Sequence, residues 1–100
     1  MSELDQRLRA DEKVVTGDWI VRDGKVVGDS SCQRIEWLVN HHLQKVSDCF
    51  KYGGWETLYR DPDDGRYWEK TYPRSEMHGG GPPKLHTISS DLIRDKYGPV

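Results

Sequence analysis

The amino-acid sequence predicts an α+β domain: an antiparallel sheet of about five strands, one main helix packed on it, and a short C-terminal helix, in the order ββ-α-βββ-α. Three observations support this. An Asp-Gly turn separates two β-branched runs, apolar residues recur at helical spacing from Cys32 to Val46, and DPDDG separates two further strand-like runs. A chain of 100 residues can bury one hydrophobic core, so we expect one domain.

The N-terminal segment is mainly polar. Leu4 and Leu8 stand at an i, i+4 spacing, but a helix there would be short and weakly stabilised. We therefore expect a loose N-terminal arm over residues 1–16 and a single α+β domain over residues 17–100.

The first hairpin is predicted from DWIVRDGKVVGD, since Asp-Gly between apolar runs is typical of a two-residue turn. That turn places Val21 opposite Val26 on one face and Ile20 opposite Val27 on the other. Both faces of this ribbon are therefore apolar, and we expect something to cover each of them.

The main helix follows N-cap candidates at Asp29, Ser30 and Ser31. Its apolar stripe should dock on the sheet. The stripe consists of Cys32, Ile35, Leu38, Val39, His42, Leu43 and Val46.

Trp37 does not belong to this stripe. At about 100° per residue it lies about 200° from Ile35, and His41 follows it one turn later. The pair is a candidate surface for a partner. The alternative is that the N-terminal arm or a twist of the helix covers Trp37.

The central hairpin has the most constrained geometry. A four-residue loop from Pro62 to Gly65 places Tyr59 opposite Trp68. One face is then aromatic and predicted as core, and the other is mainly polar. The core face contains Trp55, Tyr59, Trp68 and Tyr72, whereas the polar face contains Glu56, Arg60, Tyr67 and Glu69.

Acidic side chains outnumber basic ones on and after this hairpin. They are Glu56, Asp61, Asp63, Asp64, Glu69 and Glu76. Carboxylates at a hairpin turn can steer and pair with a basic protein partner. The alternative is a solvated charged hairpin without a partner.

The RSEMHGGGPP stretch that follows the hairpin is predicted as a shaped loop. KLHTIS and the last helix then complete the fold.

Other function classes are weaker. A net charge of −2 and a pI near 6.0 disfavour a nucleic-acid binder, although Arg60, Arg66, Lys70 and Arg74 alternate with aromatic residues as in stacking platforms. A small metal-dependent enzyme would have to use Glu76 and His78. We expect no enzyme, no catalytic residue, no metal site and no cofactor.

The compartment is predicted to be the cytoplasm. Two cysteines are too few for a disulfide framework, and no apolar run reaches the roughly 18 residues of a membrane span. The N-terminus also lacks the apolar core of a signal peptide. We expect reduced thiols and no membrane contact.

The stretches WETLY, DPDDGRYWE and YPRSEMHGGGPP, together with the CQRIEWLVNHHL helix, resemble the immunity protein 27 family of bacterial polymorphic toxin systems. The resemblance extends over roughly residues 17–97. It implies a cytoplasmic immunity protein of interbacterial competition that binds a cognate toxin domain and neutralises it by protein-protein contact.

The resemblance does not identify the inhibitory residues. The predicted partner-binding set therefore comes from the side chains themselves, namely the six carboxylates above with Trp37 and His41. If the toxin is a nuclease, the carboxylates would imitate phosphates on its basic surface. The sequence leaves open the toxin's identity and activity, the surface that inhibits it, the oligomeric state, and whether His78 binds a metal.

Overall fold

The computed structural model describes residues 6–49, 56–73 and 81–99, except for the side chain of Cys49. Seven strands and two helices lie in these ranges. They are β1 (Val14–Thr16), β2 (Trp19–Arg22), β3 (Lys25–Gly28), α1 (Ser30–Trp37) with a π-helical turn (Leu38–His42), β4 (Gln44–Cys49), β5 (Glu56–Arg60), β6 (Tyr67–Thr71), β7 (Lys84–Thr87) and α2 (Ser90–Tyr97).

Five of the strands form one antiparallel sheet in the order β1-β7-β6-β5-β4, and β2 and β3 form a separate two-stranded ribbon. This confirms the α+β class, the antiparallel sheet and the element order. Two strands that the sequence did not predict form the edges of the sheet: β1, which has three residues, and β4, which has six. Neither described helix is long and apolar enough to span a bilayer.

Both predicted hairpins have the expected register. In the ribbon, Val21 pairs with Val26 across a turn at Asp23 and Gly24. Both turn residues have positive φ, 54° and 76°, as this tight turn requires. In the central hairpin, Tyr59 pairs with Trp68. The turn chemistry was therefore sufficient to predict which residues face each other.

Helix α1 begins as predicted but ends earlier. Asp29 is its N-cap and accepts a hydrogen bond from the Cys32 backbone N–H at 2.9 Å. The predicted helix extended to Val46, whereas the structure ends it in the π-helical turn, where Leu43 N donates to Leu38 O at 2.7 Å. The next residues pair with β5 as strand β4. Backbone pairing at the open edge of β5 thus outweighs local helical spacing.

The main core lies between α1 and one face of the sheet. Its largest buried side chain is Trp68, which the sequence placed in the core together with Tyr59. The cluster comprises Leu8, Val15, Ile35, Leu38, Leu43, Tyr59, Trp68 and Leu85. Tyr72 is half-buried, and Trp55 lies outside the described residues. The alternation of side chains along the strands therefore places Tyr59 and Trp68 on the buried face, as predicted.

The opposite face of the sheet is polar in composition but is not open to water. Leu58 and Glu69, which pair across β5 and β6, are both buried. Helix α2 lies over this face, since its Lys96 and Tyr97 side chains reach Glu69 and its Ile93 is buried. The sheet is thus covered on both sides.

The described part of the predicted N-terminal arm contacts the domain. Leu8 and Val15 are buried, and β1 pairs with β7. Arg34 donates from Nη2 to the Arg7 carbonyl at 2.8 Å, and Arg66 donates from Nη1 to the Glu12 carbonyl at 2.6 Å. Two guanidinium groups therefore fasten this segment to α1 and to the central hairpin. The division of the chain at residue 17 stays a prediction.

Candidate functional site

The hairpin tip, residues 61–65, connects β5 to β6 and contains three of the predicted partner-binding carboxylates. Asp61 N donates to the Arg66 carbonyl at 2.9 Å, and Gly65 N donates to the Asp61 carbonyl at 2.8 Å. Asp63 N donates to Asp61 Oδ1 at 2.8 Å. Gly65 has a φ of 78°, a conformation in which glycine is unstrained. These contacts give the tip a defined shape.

Asp61 is the buried residue of the tip. Its side chain is 0% exposed, and His42 Nε2 lies 3.2 Å from its Oδ1. The same imidazole nitrogen lies 3.2 Å from Asp63 Oδ2. One imidazole and two carboxylates thus converge, with their ligand atoms all within 4.8 Å of one another, which is a donor set that a metal ion could use.

The two outer carboxylates of the tip each have a basic partner. Asp63 is 44% exposed and lies 3.5 Å from Arg7 Nη1. Asp64 accepts from Arg66 Nε at 2.6 Å. Partial burial raises the pKa of Asp64, but hydrogen bonds from Arg66 outweigh it, and the net pKa is below the usual value. The tip is therefore a surface of paired charges rather than of free carboxylates.

Two more of the predicted carboxylates, Glu56 and Glu69, lie under helix α2, whereas Glu76 lies outside the described residues. Glu69 accepts from Tyr97 Oη at 2.8 Å and pairs with Lys96 at 2.7 Å and His86 at 3.1 Å. Lys96 also pairs with Glu56 at 2.8 Å. This cluster links the C-terminal helix to three strands. Glu56 and Glu69 therefore pair with groups of the domain itself.

The pKa of Glu69 reflects this environment. Burial raises it, but hydrogen bonds from His86, Lys96 and Tyr97 lower it by more, so that it falls from 4.5 to about 2. The pKa of His86 is raised in turn, chiefly by its hydrogen bond to Glu69. Glu69 is therefore ionised in the folded chain at all but strongly acidic pH.

The second predicted surface, Trp37 and His41, adjoins the first. Trp37 packs against the core cluster and is only partly exposed, whereas His41 is exposed. The Trp37 ring stacks on His42 at 5.9 Å between centroids, and His42 in turn contacts Asp63. The sequence treated the two surfaces as alternatives. In the structure they are neighbours joined by His42.

Several alternatives lie partly outside the described residues. Glu76 and His78, on which an enzyme would depend, are not described, and neither is Arg74. Of the basic residues in the nucleic-acid alternative, Arg66 binds Asp64 and the carbonyls of Arg9 and Glu12. Arg66 is thus a structural cation in this fold.

An exposed apolar pair was not recognised as a candidate site from the sequence. Val21 and Val26 are 74% and 64% exposed, so no described residue covers that face of the ribbon. The signal was present, since the sequence predicts apolar pairs on both ribbon faces. A free apolar face of this kind is a surface that interfaces use.

The chain matches one family of known proteins. The family model Immunity protein 27 matches residues 21–89, from within β2 to just after β7. The matched stretch includes α1, the hairpin tip and their contacts, and it confirms the resemblance seen in the sequence. No curated protein and no solved structure gives a significant match to the chain.

Proposed function

The chain belongs to the immunity protein 27 family, and from this membership we propose that it binds one cognate bacterial toxin domain and neutralises it by direct contact, without catalysis of its own. The match over residues 21–89 is the observation on which the proposal depends. We propose the cytoplasm of the cell that makes both proteins as the place of this encounter.

The hairpin tip is the proposed centre of the contact surface. Asp63 and Asp64 are accessible there, on a loop whose backbone is already hydrogen-bonded. A partner would therefore meet a surface that needs little ordering on binding. Asp61, Glu56 and Glu69 lie behind this surface and support it through internal contacts.

The toxin proposed for this surface is basic where it touches the tip. Its Lys or Arg side chains would replace the partners that Arg7 and Arg66 now supply to Asp63 and Asp64. Exposed charges of this kind mainly increase the rate of association and select the correct partner. In a nuclease, the same basic groups would bind substrate phosphates, so that occupation by carboxylates would exclude the substrate.

Trp37 and His41 extend this surface with apolar and aromatic area. Interfaces commonly combine a partly apolar centre with a polar rim, and tryptophan is frequent among the residues that contribute most to affinity. Because Trp37 reaches Asp63 through His42, both regions could contact one partner at the same time.

The test is co-expression with the toxin domain encoded beside the chain, scored by cell survival and by purification of a stoichiometric complex. We expect survival with a complex. In the double variant Asp63→Lys and Asp64→Lys we expect Kd to rise about tenfold or more, because like charges would then face a basic partner.

The matched control is Asp91→Lys, which reverses an 88% exposed carboxylate on α2. This variant should bind as the parent does. Equal affinity of the double variant and the control would refute the hairpin tip as the contact surface. Cell death with the parent chain would refute neutralisation itself.

A further inference from the structure

The contact between the hairpin tip and the π-helical turn has the composition of a metal site. His42 contributes a nitrogen and Asp61 and Asp63 contribute oxygens, and all three point to one place. The residues come from two separate elements, so the convergence is produced by the fold. Mixed imidazole and carboxylate donors are typical of zinc and related divalent cations.

The buried carboxylate is an independent indication of a ligand. Asp61 is 0% exposed, and its Oδ2 is a buried atom that has no hydrogen-bond partner among the described residues. A buried carboxylate oxygen without a partner is costly, and such groups commonly indicate an ion or a water. Its Oδ1 already accepts from the Asp63 backbone, which fixes the orientation of the carboxylate.

The two distances from the imidazole to the carboxylates are close to those that a zinc ion imposes. His42 Nε2 lies 3.2 Å from one oxygen of each aspartate. Ligand atoms at about 2.0–2.2 Å from a tetrahedral zinc are separated by about 3.3–3.5 Å. Because all three ligand atoms lie within 4.8 Å of one another, an adjustment of the side chains would open a position between the three groups.

The surroundings also suit a bound cation. The imidazole of His42 is 6% exposed and stacks on Trp37 with an angle of 16° between the ring planes, which restrains the ring. Arg7 contacts Oδ1 of Asp63 and leaves Oδ2 for the site. Such outer contacts orient the ligands of natural metal sites.

We propose that His42, Asp61 and Asp63 bind one divalent cation of the zinc class, with water completing the coordination. The ion ties the end of α1 to the hairpin tip and thereby stabilises the loop. The bound ion would take the place of the present contact, in which Asp61 and Asp63 share the Nε2 nitrogen of His42. This inference does not depend on the proposed toxin binding.

The experiment uses the full chain, freed of metal with a chelator and titrated with Zn²⁺ by calorimetry. We expect one tightly bound Zn²⁺ per chain at this site and a rise in melting temperature. In Asp63→Asn and in His42→Gln we expect affinity to fall by more than about tenfold, since even the loss of an outer-shell partner costs about 10- to 100-fold.

The control is Asp91→Asn, an exposed carboxylate that, like Asp63, lies beside an arginine. It should bind Zn²⁺ as the parent does. X-ray absorption of the zinc-loaded parent gives a readout independent of any variant, and we expect nitrogen and oxygen ligands with a single imidazole. Absence of binding, sulfur ligands, several imidazoles, or equal affinity of Asp63→Asn and the control would each overturn the proposal.

Discussion

The two hairpins that the sequence predicts have equally well-defined registers and very different surroundings. In the ribbon, the cross-strand pair Val21 and Val26 is 74% and 64% exposed. In the central hairpin, the pair Tyr59 and Trp68 is 8% and 0% exposed. Turn chemistry set the pairing in both cases. Burial depended on whether a helix and neighbouring strands lay on the same face.

This difference in exposure implies that the central hairpin contributes to folding, whereas the ribbon has a surface available for binding. The central hairpin lies in the middle of the five-stranded sheet and contributes to both of its covered faces. The ribbon lies outside that sheet and keeps one apolar face free. We therefore expect substitutions in the central hairpin to affect stability and those on the free ribbon face to affect it little.

The largest effect is expected at Trp68. Replacing this fully buried side chain by alanine removes a large apolar contact and leaves a cavity beneath α1, at a cost of about 3–5 kcal/mol in the free energy of unfolding. Urea unfolding followed by circular dichroism measures it. A loss below about 1 kcal/mol would show that the central hairpin is not the main packing element.

An intermediate effect is expected at Glu69, which makes the central hairpin sensitive to pH. Because its pKa falls from 4.5 in the unfolded chain to about 2 in the folded chain, its contribution is present above pH 4.5 and is lost as the pH falls through about 2. We expect Glu69→Gln to cost on the order of 3 kcal/mol at pH 6 and to flatten the acid limb of the stability curve.

His86 in the same cluster makes stability depend on pH in the opposite direction: its contribution is lost as the pH rises rather than as it falls. The pKa of His86 is raised above 6.5 in the folded chain, so its contribution is complete below that value and is lost as the pH rises through the raised pKa. The cluster should be most stabilising between about pH 4.5 and 6.5. The control is Asp91→Asn, which should follow the parent. Unfolding free energies of the parent, Glu69→Gln and the control are measured from pH 2 to 9. A Glu69→Gln curve that also followed the parent would contradict the role of Glu69.

The smallest effect is expected on the free face of the ribbon. Val21→Thr keeps the shape of the side chain and adds a hydroxyl that water can solvate, so stability should change by less than about 0.5 kcal/mol. The same substitution at Val15 buries the hydroxyl in the core and should cost about 1–3 kcal/mol. Equal melting temperatures for the two variants would show that the free ribbon face tolerates a polar group no better than a buried strand position does.

Much of the fold could be predicted from the sequence because its strongest signals are local. The Asp-Gly turn, the four-residue loop and period-2 alternation gave both registers and the burial of Trp68. The end of α1 could not be found in this way. Leu43 keeps its place in the core, but Val46 enters strand β4, because the edge of β5 offers hydrogen bonds that local spacing does not reveal.

The candidate site was predicted less completely for the same reason. Sequence reasoning found the carboxylates of the hairpin tip and the pair Trp37 and His41. It assigned His42 to the apolar stripe, although the structure places this imidazole between Asp61 and Asp63. Contacts between residues about twenty positions apart have no signature in spacing. The basic partners Arg7 and Arg66 were missed as well.

Strand β1 is three residues long, yet it shields one edge of the main sheet. Val14–Thr16 pair with β7 and leave no long open strand on that side. The stretch that matches the family begins only at residue 21. A chain shortened to that boundary would expose the backbone donors and acceptors of β7, a template on which a second molecule could add a strand. We therefore expect a chain shortened to that boundary to self-associate more readily than the full chain.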